Sequence, residues 1–354
     1  MNTRIGILGA AGYLPPEIRR NDYWPREVVD AWMASRAAAP AGPQPATHGE
    51  RLVFEALRIQ GRDPFQGTVE RRVLAPELSP LDMEAEAAES AIERAGVARA
   101  DIDLVLSHTV VPDYLLGNPA CDVHHRLGLA PRCFSMHVDA AAYSFIMQLA
   151  IAEAMIKTGQ ARVALLVQSS VSSRVVAIDT PGAPILGDGA SAVVVGPVAP
   201  DRGVLASVHY TDGSSPRTLI ASVPGKRWYD DGRAVIHVDD AVQMQRVFLQ
   251  IADVCKTSID AVLAKAGVHH RDVKFLATHQ GMPWLRDVVA RHAGLADASS
   301  IDLFSRTGYI ASAFVPMSLV EAGAAGILAD GDLVVITGGG TGMTYGAVAL
   351  RWSA

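Results

Sequence analysis

The segments AGVARADIDLVLSH (residues 95–108) and AGVHHRDVKFLATH (residues 266–279) are one pattern written twice. In each, Ala-Gly-Val is followed after three residues by an aspartate, Asp101 or Asp272. An apolar strand then closes on a histidine, His108 in the first copy and His279 in the second. The copies lie 171 positions apart in a chain of 354 residues, close to half its length. A second pair repeats at nearly that offset: GQARVALLVQSS (159–170) and GDLVVITGGG (331–340), both strands of the kind that is buried on two faces. Two matches at nearly one offset point to an internal duplication, with halves at 1–200 and 201–354.

Within each half, helical periodicity alternates with short Val, Leu and Ile strands bounded by Gly and Asp. The periodicity predicts helices over 82–95, 145–158, 242–266 and 315–328. Alternation of this kind implies layered α/β halves. One stretch, 34–66, breaks the rhythm with AAAPAGPQPATHGER; it reads as an inserted loop or lid with a short helix over 51–60.

Hydrophobic residues make up 49% of the chain and charged residues 19%, which is the balance of a deeply packed globular protein. A net charge of -6 gives nucleic acid no electrostatic support as a partner. No apolar run approaches the length of about 20 residues needed to span a bilayer, and the N-terminal stretch reads as a strand and turn rather than a signal peptide. Cys121, Cys133 and Cys255 lack metal-ligand spacing, so buried, inert thiols in a reducing cytoplasm are expected. His269-His270 reads as an exposed turn, not a metal site.

The segment Asp139-Ala140-Ala141-Ala142-Tyr143-Ser144-Phe145 opens a long apolar helix after a short strand. The first turn of such a helix offers unpaired backbone N–H groups and the positive end of the helix dipole. A cysteine there would be a good thiolate nucleophile. This chain has small residues only.

An ordered set of motifs resembles the β-ketoacyl-acyl-carrier-protein synthase III group of the thiolase superfamily. They run from Ile5-Gly6-Ile7-Leu8-Gly9, Tyr13-Leu14-Pro15 and Asn21 through Val69-Glu70-Arg71-Arg72, then Ser79, Asp82 and Met83. His108-Thr109, Pro112-Asp113, Pro119-Ala120-Cys121 and Arg126-Leu127-Gly128 follow. Leu186-Gly187-Asp188-Gly189-Ala190, His279-Gln280 and Gly340-Thr341-Gly342-Met343-Thr344-Tyr345-Gly346 complete the set. The resemblance implies a thiolase-like fold of duplicated αβαβα halves in five layers. It also implies a homodimer joined through a central sheet, with no cofactor and an acyl-CoA or acyl-carrier-protein thioester as donor.

The same resemblance puts the nucleophilic cysteine three residues before Phe145, at Ala142, and replaces a family glycine by Ser144. His279 takes the acid/base position. Tyr309, in Ser305-Arg306-Thr307-Gly308-Tyr309-Ile310 ahead of Val315-Pro316, takes the position of the family's asparagine. The oxyanion hole falls to the N–H groups of residue 142 and Thr341. Trp284 is placed at the tunnel mouth and Trp32, loosely, near a nucleotide; Arg286 is a candidate for the donor's phosphates. Losing the asparagine removes one of two neutral donors to an enolate, which argues against decarboxylative condensation. Transfer to a hydroxyl or amine of a secondary-metabolite acceptor, as in antibiotic and polyketide pathways, needs only an oxyanion hole and a base.

For Ala142 the expectation is an engineered cysteine-to-alanine replacement that leaves this copy impaired. The alternatives are direct transfer between bound substrates with His279 as base, and a silent partner subunit of a ketosynthase heterodimer. A decarboxylative synthase III remains the alternative reaction.

Overall fold

The computed structural model describes residues 4–38 and 43–353. Its frame is two sheets that share one topology. The first has the order β1 (Arg4–Tyr13), β7 (Asp188–Val198), β6 (Ala164–Val171), β4 (Leu104–Thr109), β5 (Phe134–His137). β4 runs parallel to β5 and β6, while β7 is antiparallel to β6 and β1 antiparallel to β7. The second has the order β8 (Gly203–Ser215), β13 (Gly342–Arg351), β12 (Leu333–Gly340), β11 (Phe275–Thr278). Again a parallel pair, β11 with β12, is followed by two antiparallel pairs, β12 with β13 and β13 with β8. A parallel bridge from Phe275 to Ser299 stands where β5 pairs in the first sheet.

Strand alternation sorts side chains into layers. Leu104 and Leu106 face inward with Phe275 and Ala277 of the second sheet; Val105 and Leu276 face outward. Two helices fill the space between the sheets: α5 (Ser144–Lys157) and α9 (Phe314–Ala324). Both are apolar nearly all round, as a helix buried on every side must be. Outside the first sheet lie α3 (Pro80–Ala95) and α4 (Pro119–Arg126); outside the second lie α6 (Ala241–Ala266) and α7 (Leu285–His292). The result is α-β-α-β-α layering, as expected.

The duplicated segments fold alike. α3 ends on Gly96 at φ 62° and α6 on Gly267 at φ 69°, left-handed caps that glycine adopts without a Cβ penalty. Each is followed by a short 3-10 turn, Arg99–Asp101 or His270–Asp272, and then by β4 or β11. Pro80 and a reciprocal bond between Ser79 and Asp82 start α3; the Asp240 carboxylate caps α6 on the Gln243 N–H.

The sequence places a loop or lid at 34–66, and the structure corrects this. α1 (Arg26–Ala38) runs into the stretch and α2 (His48–Gln60) begins three residues before the expected helix; 39–42 lie outside the described residues. α2 docks on α6 and α7. Thr47 bonds Asp253, and Val53 is buried in the outer core of the second half. The run of Ala and Pro hid this because its helix N-cap is set by Thr47 and Glu50, which satisfy each other's backbone N–H groups. α9 stops at Ala324, short of 328, because Gly326 turns left-handed. Cys121 is exposed on α4, not buried; Cys133 and Cys255 are buried.

The remaining elements are small: the hairpin β2 (Glu17–Arg20) with β3 (Glu70–Val73), the hairpin β9 (Leu219–Ser222) with β10 (Val235–Val238), and α8 (Phe304–Thr307). Arg71 is buried and ties the first hairpin down. It donates to the Pro184 and Arg19 carbonyls at 3.0 and 2.9 Å and to Asn21 Oδ1 at 2.8 Å. Among the described residues no helix is long and apolar enough to cross a membrane.

Val53→Ala removes two buried methyl groups from the α2 contact. It should lower stability by about 2 kcal/mol, read as the urea midpoint. An unchanged midpoint would show that α2 does not dock on the second half.

Candidate active site

The alternation that builds the core also aims the two duplicated histidines. His108 continues the inward row of Leu104 and Leu106, and His279 that of Phe275 and Ala277. Each therefore emerges between the sheets at a strand end, beside the helix starts. The His279 N–H extends the parallel pairing to the Thr337 carbonyl at 3.0 Å.

The turn carrying residue 142 is a 3-10 turn, Ala141–Tyr143, that leads directly into α5. Ala141 has φ 51°, a left-handed conformation that a non-glycine residue holds only under restraint. The restraint is visible. Asp139 Oδ1 accepts the Ala141 N–H at 2.7 Å, and Ser144 Oγ accepts the Ala140 N–H at 2.8 Å while donating to the Ala141 carbonyl at 2.7 Å. Ser144 thus braces the turn. Ala142 is buried at 7% exposure and contributes only a methyl group.

β12 links this turn to His279. A Cβ on Gly338 would lie 2.7 Å from His279 Cβ, and one on Gly340 would lie 2.2 Å from the Ala140 carbonyl oxygen. The two glycines are two residues apart on one face of the strand, so the imidazole and the turn sit roughly 7 Å apart along it. Thr341 follows immediately and is exposed.

Tyr309 meets His279: its hydroxyl lies 3.0 Å from Nε2, with the rings edge to face. Its backbone is pinned by two bonds, N–H to the Ile185 carbonyl at 2.7 Å and carbonyl to the Gly187 N–H at 3.1 Å. Burial drives the His279 pKa down to about 4 and pushes that of the Tyr309 hydroxyl up. Both groups are therefore uncharged at neutral pH. Nδ1 of His279 is buried without a partner, free to bond a substrate.

The other expected residues are more scattered. Trp284 starts α7 within the outer core of the second half, and its indole nitrogen is buried without a partner. The end of the insertion borders the same loop, since a Cβ on Gly67 would press on Pro283. Trp32 is 3% exposed within a cluster with Trp24 and Phe65, its indole N–H taken by the Asp179 carbonyl. Its ring has no open face. Arg286 is partly exposed and bonded to Asp287. Among the described residues no cluster of His, Cys, Asp and Glu is arranged to hold a metal ion.

A second constellation mirrors the first. The 3-10 turn Ala311–Ala313 leads into α9 as Ala141–Tyr143 leads into α5, and Ala311 has φ 50°. Ser312 therefore occupies in the second half the place Ala142 holds in the first. His108 Nδ1 lies 2.7 Å from Ser312 Oγ, and His108 Nε2 lies 3.2 Å from Asp139 Oδ1. The bond to His108 is the first reason that the Asp139 carboxyl is held down to about 2. Sequence reasoning gave His108 and Ser312 no role. The signal was the duplication itself, which matches His108 to His279, and Ser312 to residue 142 by an offset of one residue less.

These features define the class: a duplicated α/β fold with polar clusters at the starts of the two central helices. Comparison with known proteins agrees. Residues 136–213 match the family described as 3-oxoacyl-(acyl-carrier-protein) synthase III, and residues 263–352 match its C-terminal part. A β-ketoacyl-(acyl-carrier-protein) synthase III of Geobacillus kaustophilus is 33% identical over 350 residues, 98% of each chain. One from Bacillus cereus is 29% identical over 98% of this chain and 99% of its own. A solved 3-oxoacyl-(acyl carrier protein) synthase III of Pseudomonas aeruginosa superposes with TM-score 0.79 at 26% identity, over 99% of both chains. The OleA structure of Xanthomonas campestris, at 19% identity and TM-score 0.79 over 99% and 97%, shares the fold. The chain belongs to the β-ketoacyl-acyl-carrier-protein synthase III family of the thiolase superfamily, a family of acyl-transferring and condensing enzymes.

Unfolded, the His279 imidazole takes up a proton below about pH 6.5; folded, it resists protonation down to about 4. Between those values the unfolded chain binds more protons, so acid works against the fold. His279→Gln should lose on the order of 3 kcal/mol less stability than the wild type between pH 7 and 4. Urea titrations at both pH values measure this, and parallel losses would contradict the neutral imidazole.

Proposed function

We propose that the protein is an acyltransferase. It moves an acyl group from a coenzyme A or acyl-carrier-protein thioester to a hydroxyl or amine of a small secondary-metabolite acceptor. The observation that carries this reading is the bond between Tyr309 and His279 at 3.0 Å beside a turn without a thiol. A phenol there removes the amide that would help hold an enolate, and it occupies Nε2. A base and an oxyanion hole remain. The neutral His279 imidazole accepts a proton at any pH above about 4. The N–H groups at the start of α5 and at Thr341 are the donors we propose for the tetrahedral oxyanion. In this reading residues 1–200 supply the turn and residues 201–354 the imidazole, Tyr309 and Thr341. We propose Trp284 for the donor's pantetheine arm, Arg286 for its phosphates, and a homodimer with no cofactor.

An engineered cysteine-to-alanine replacement would explain residue 142 alone. It leaves unexplained Tyr309 and Ser144, both bonded into the site. We therefore favour Ala142 as the residue with which the site works. Ala142→Cys separates the readings: if it becomes acylated by a thioester and gains activity over the present chain, the replaced cysteine is restored.

Octanoyl-CoA with hydroxylamine as acceptor should yield the hydroxamate and free coenzyme A, followed by mass spectrometry and thiol release. His279→Ala should slow transfer by about 10²- to 10⁴-fold, whereas Tyr309→Asn should change it little. A β-keto product with loss of carbon dioxide from a malonyl donor would establish condensation instead. No transfer by either the chain or Ala142→Cys would leave the silent partner subunit.

A further inference from the structure

Ser312, His108 and Asp139 have the geometry of a nucleophile, a base and a carboxylate that orients the base. Ser312 Oγ and His108 Nδ1 are 2.7 Å apart, and the far ring nitrogen reaches Asp139 at 3.2 Å. The network fixes the tautomer: Nε2–H donates to the carboxylate, leaving Nδ1 to accept the serine proton. His137 lies over the His108 ring, centroids 5.7 Å apart and planes 22° apart, which helps hold the ring plane. Ser312 stands on the strained turn at the start of α9, just after Ala311 at φ 50°.

Nothing in the core demands this arrangement. The residues come from three separate segments, 204 positions apart at the widest bond, and a buried polar network of this kind costs desolvation that apolar side chains would avoid. The corresponding turn in the other half carries Ala142, which cannot attack anything. Each half has a histidine at its strand end and a small residue at its helix start. In one pairing the small residue is alanine; in the other it is serine, already bonded to the opposite half's histidine.

We propose that Ser312 is the acyl-accepting nucleophile of this enzyme, with His108 as its general base and Asp139 as the positioning residue. The catalytic pair has thus crossed the internal duplication, from the turn of the first half to the turn of the second. This inference rests on the acyltransferase reading, gives it a covalent step and moves the base from His279 to His108, which leaves His279 and Tyr309 to line the acyl site.

The step balances. Ser312 Oγ attacks the thioester carbonyl carbon as its proton passes to His108 Nδ1. The resulting oxyanion collapses, the carbon–sulfur bond breaks, and the sulfur leaves as a thiol after taking that proton. The acyl group remains on Ser312 as an ester. An acceptor hydroxyl or amine then attacks the ester, giving its proton to His108, and Ser312 Oγ leaves and recovers it. The 3-10 turns Ala141–Tyr143 and Ala311–Ala313 pack against one another, so the acyl group is bound beside the His279 and Tyr309 cluster. Ser312 and His108 are closed to bulk water while Asp139 is open. Entry is therefore from the Asp139 side, and closure at the serine would protect the ester from hydrolysis.

An octyl fluorophosphonate tests the nucleophile without a donor, and octanoyl-CoA tests the ester. Peptide mass spectrometry of the wild-type chain should find both adducts on Ser312. Ser312→Ala should abolish them, and His108→Ala should slow labelling by at least about 100-fold. Asp139→Asn should slow labelling too, with Asp139→Glu recovering part of the rate, a rescue that loss of packing alone would not give. Should the wild type form the ester without passing it to hydroxylamine, the nucleophile stands and the acceptor reading falls. Transfer to hydroxylamine that survives in Ser312→Ala would overturn the nucleophile and leave the acyltransferase reading intact. Absence of any adduct on wild-type Ser312 would overturn it as well.

Discussion

The close approach of β12 to the starts of the central layer governs the rest of the site. Gly338 and Gly340 bring the strand's backbone where a side chain would collide, with His279 at one residue and with the Ala140 carbonyl at the other. No larger residue can take either place without moving the turn or the imidazole. Through that contact the second sheet fixes the height of α5, and with it the position of residue 142. A polar site between two apolar sheets exists because this one strand end is bare.

Around that contact the chain repeats itself with different chemistry. The two halves share strand order, the left-handed caps at Gly96 and Gly267, and the strained alanines at 141 and 311. Their histidines nevertheless have different company. His279 is dry, neutral and bonded to a phenol; His108 is bonded to a hydroxyl on one side and a carboxylate on the other. Duplication supplies two equivalent scaffolds, and substitution at a few positions gives their histidines different partners.

Much of the frame was legible beforehand. Helices near 82–95, 145–158 and 242–266 formed within two residues of expectation, since the first and last have an apolar period with a closing glycine and the second is a long apolar run closed by Gly159. The insertion was harder. Its helices carry weak signals next to Ala and Pro, and α2 is held by Asp253, which lies 206 positions from Thr47. Trp32 read as lying near a nucleotide from the resemblance, but its indole is committed to a carbonyl 147 positions away. Exposure of Cys121 depends on which side of α4 meets the sheet.

The sequence by itself determined the alternation of elements, the duplication, and that His108 and His279 stand at matched strand ends, because local periodicity acts over a few residues. It also determined that residue 142 has no thiol. Only the tertiary structure decided the partners: Tyr309 for His279, Ser312 and Asp139 for His108. Those bonds join residues 30, 204 and 31 positions apart, and hydrogen bonding at about 3 Å is set by how the layers stack, a quantity that no local pattern encodes.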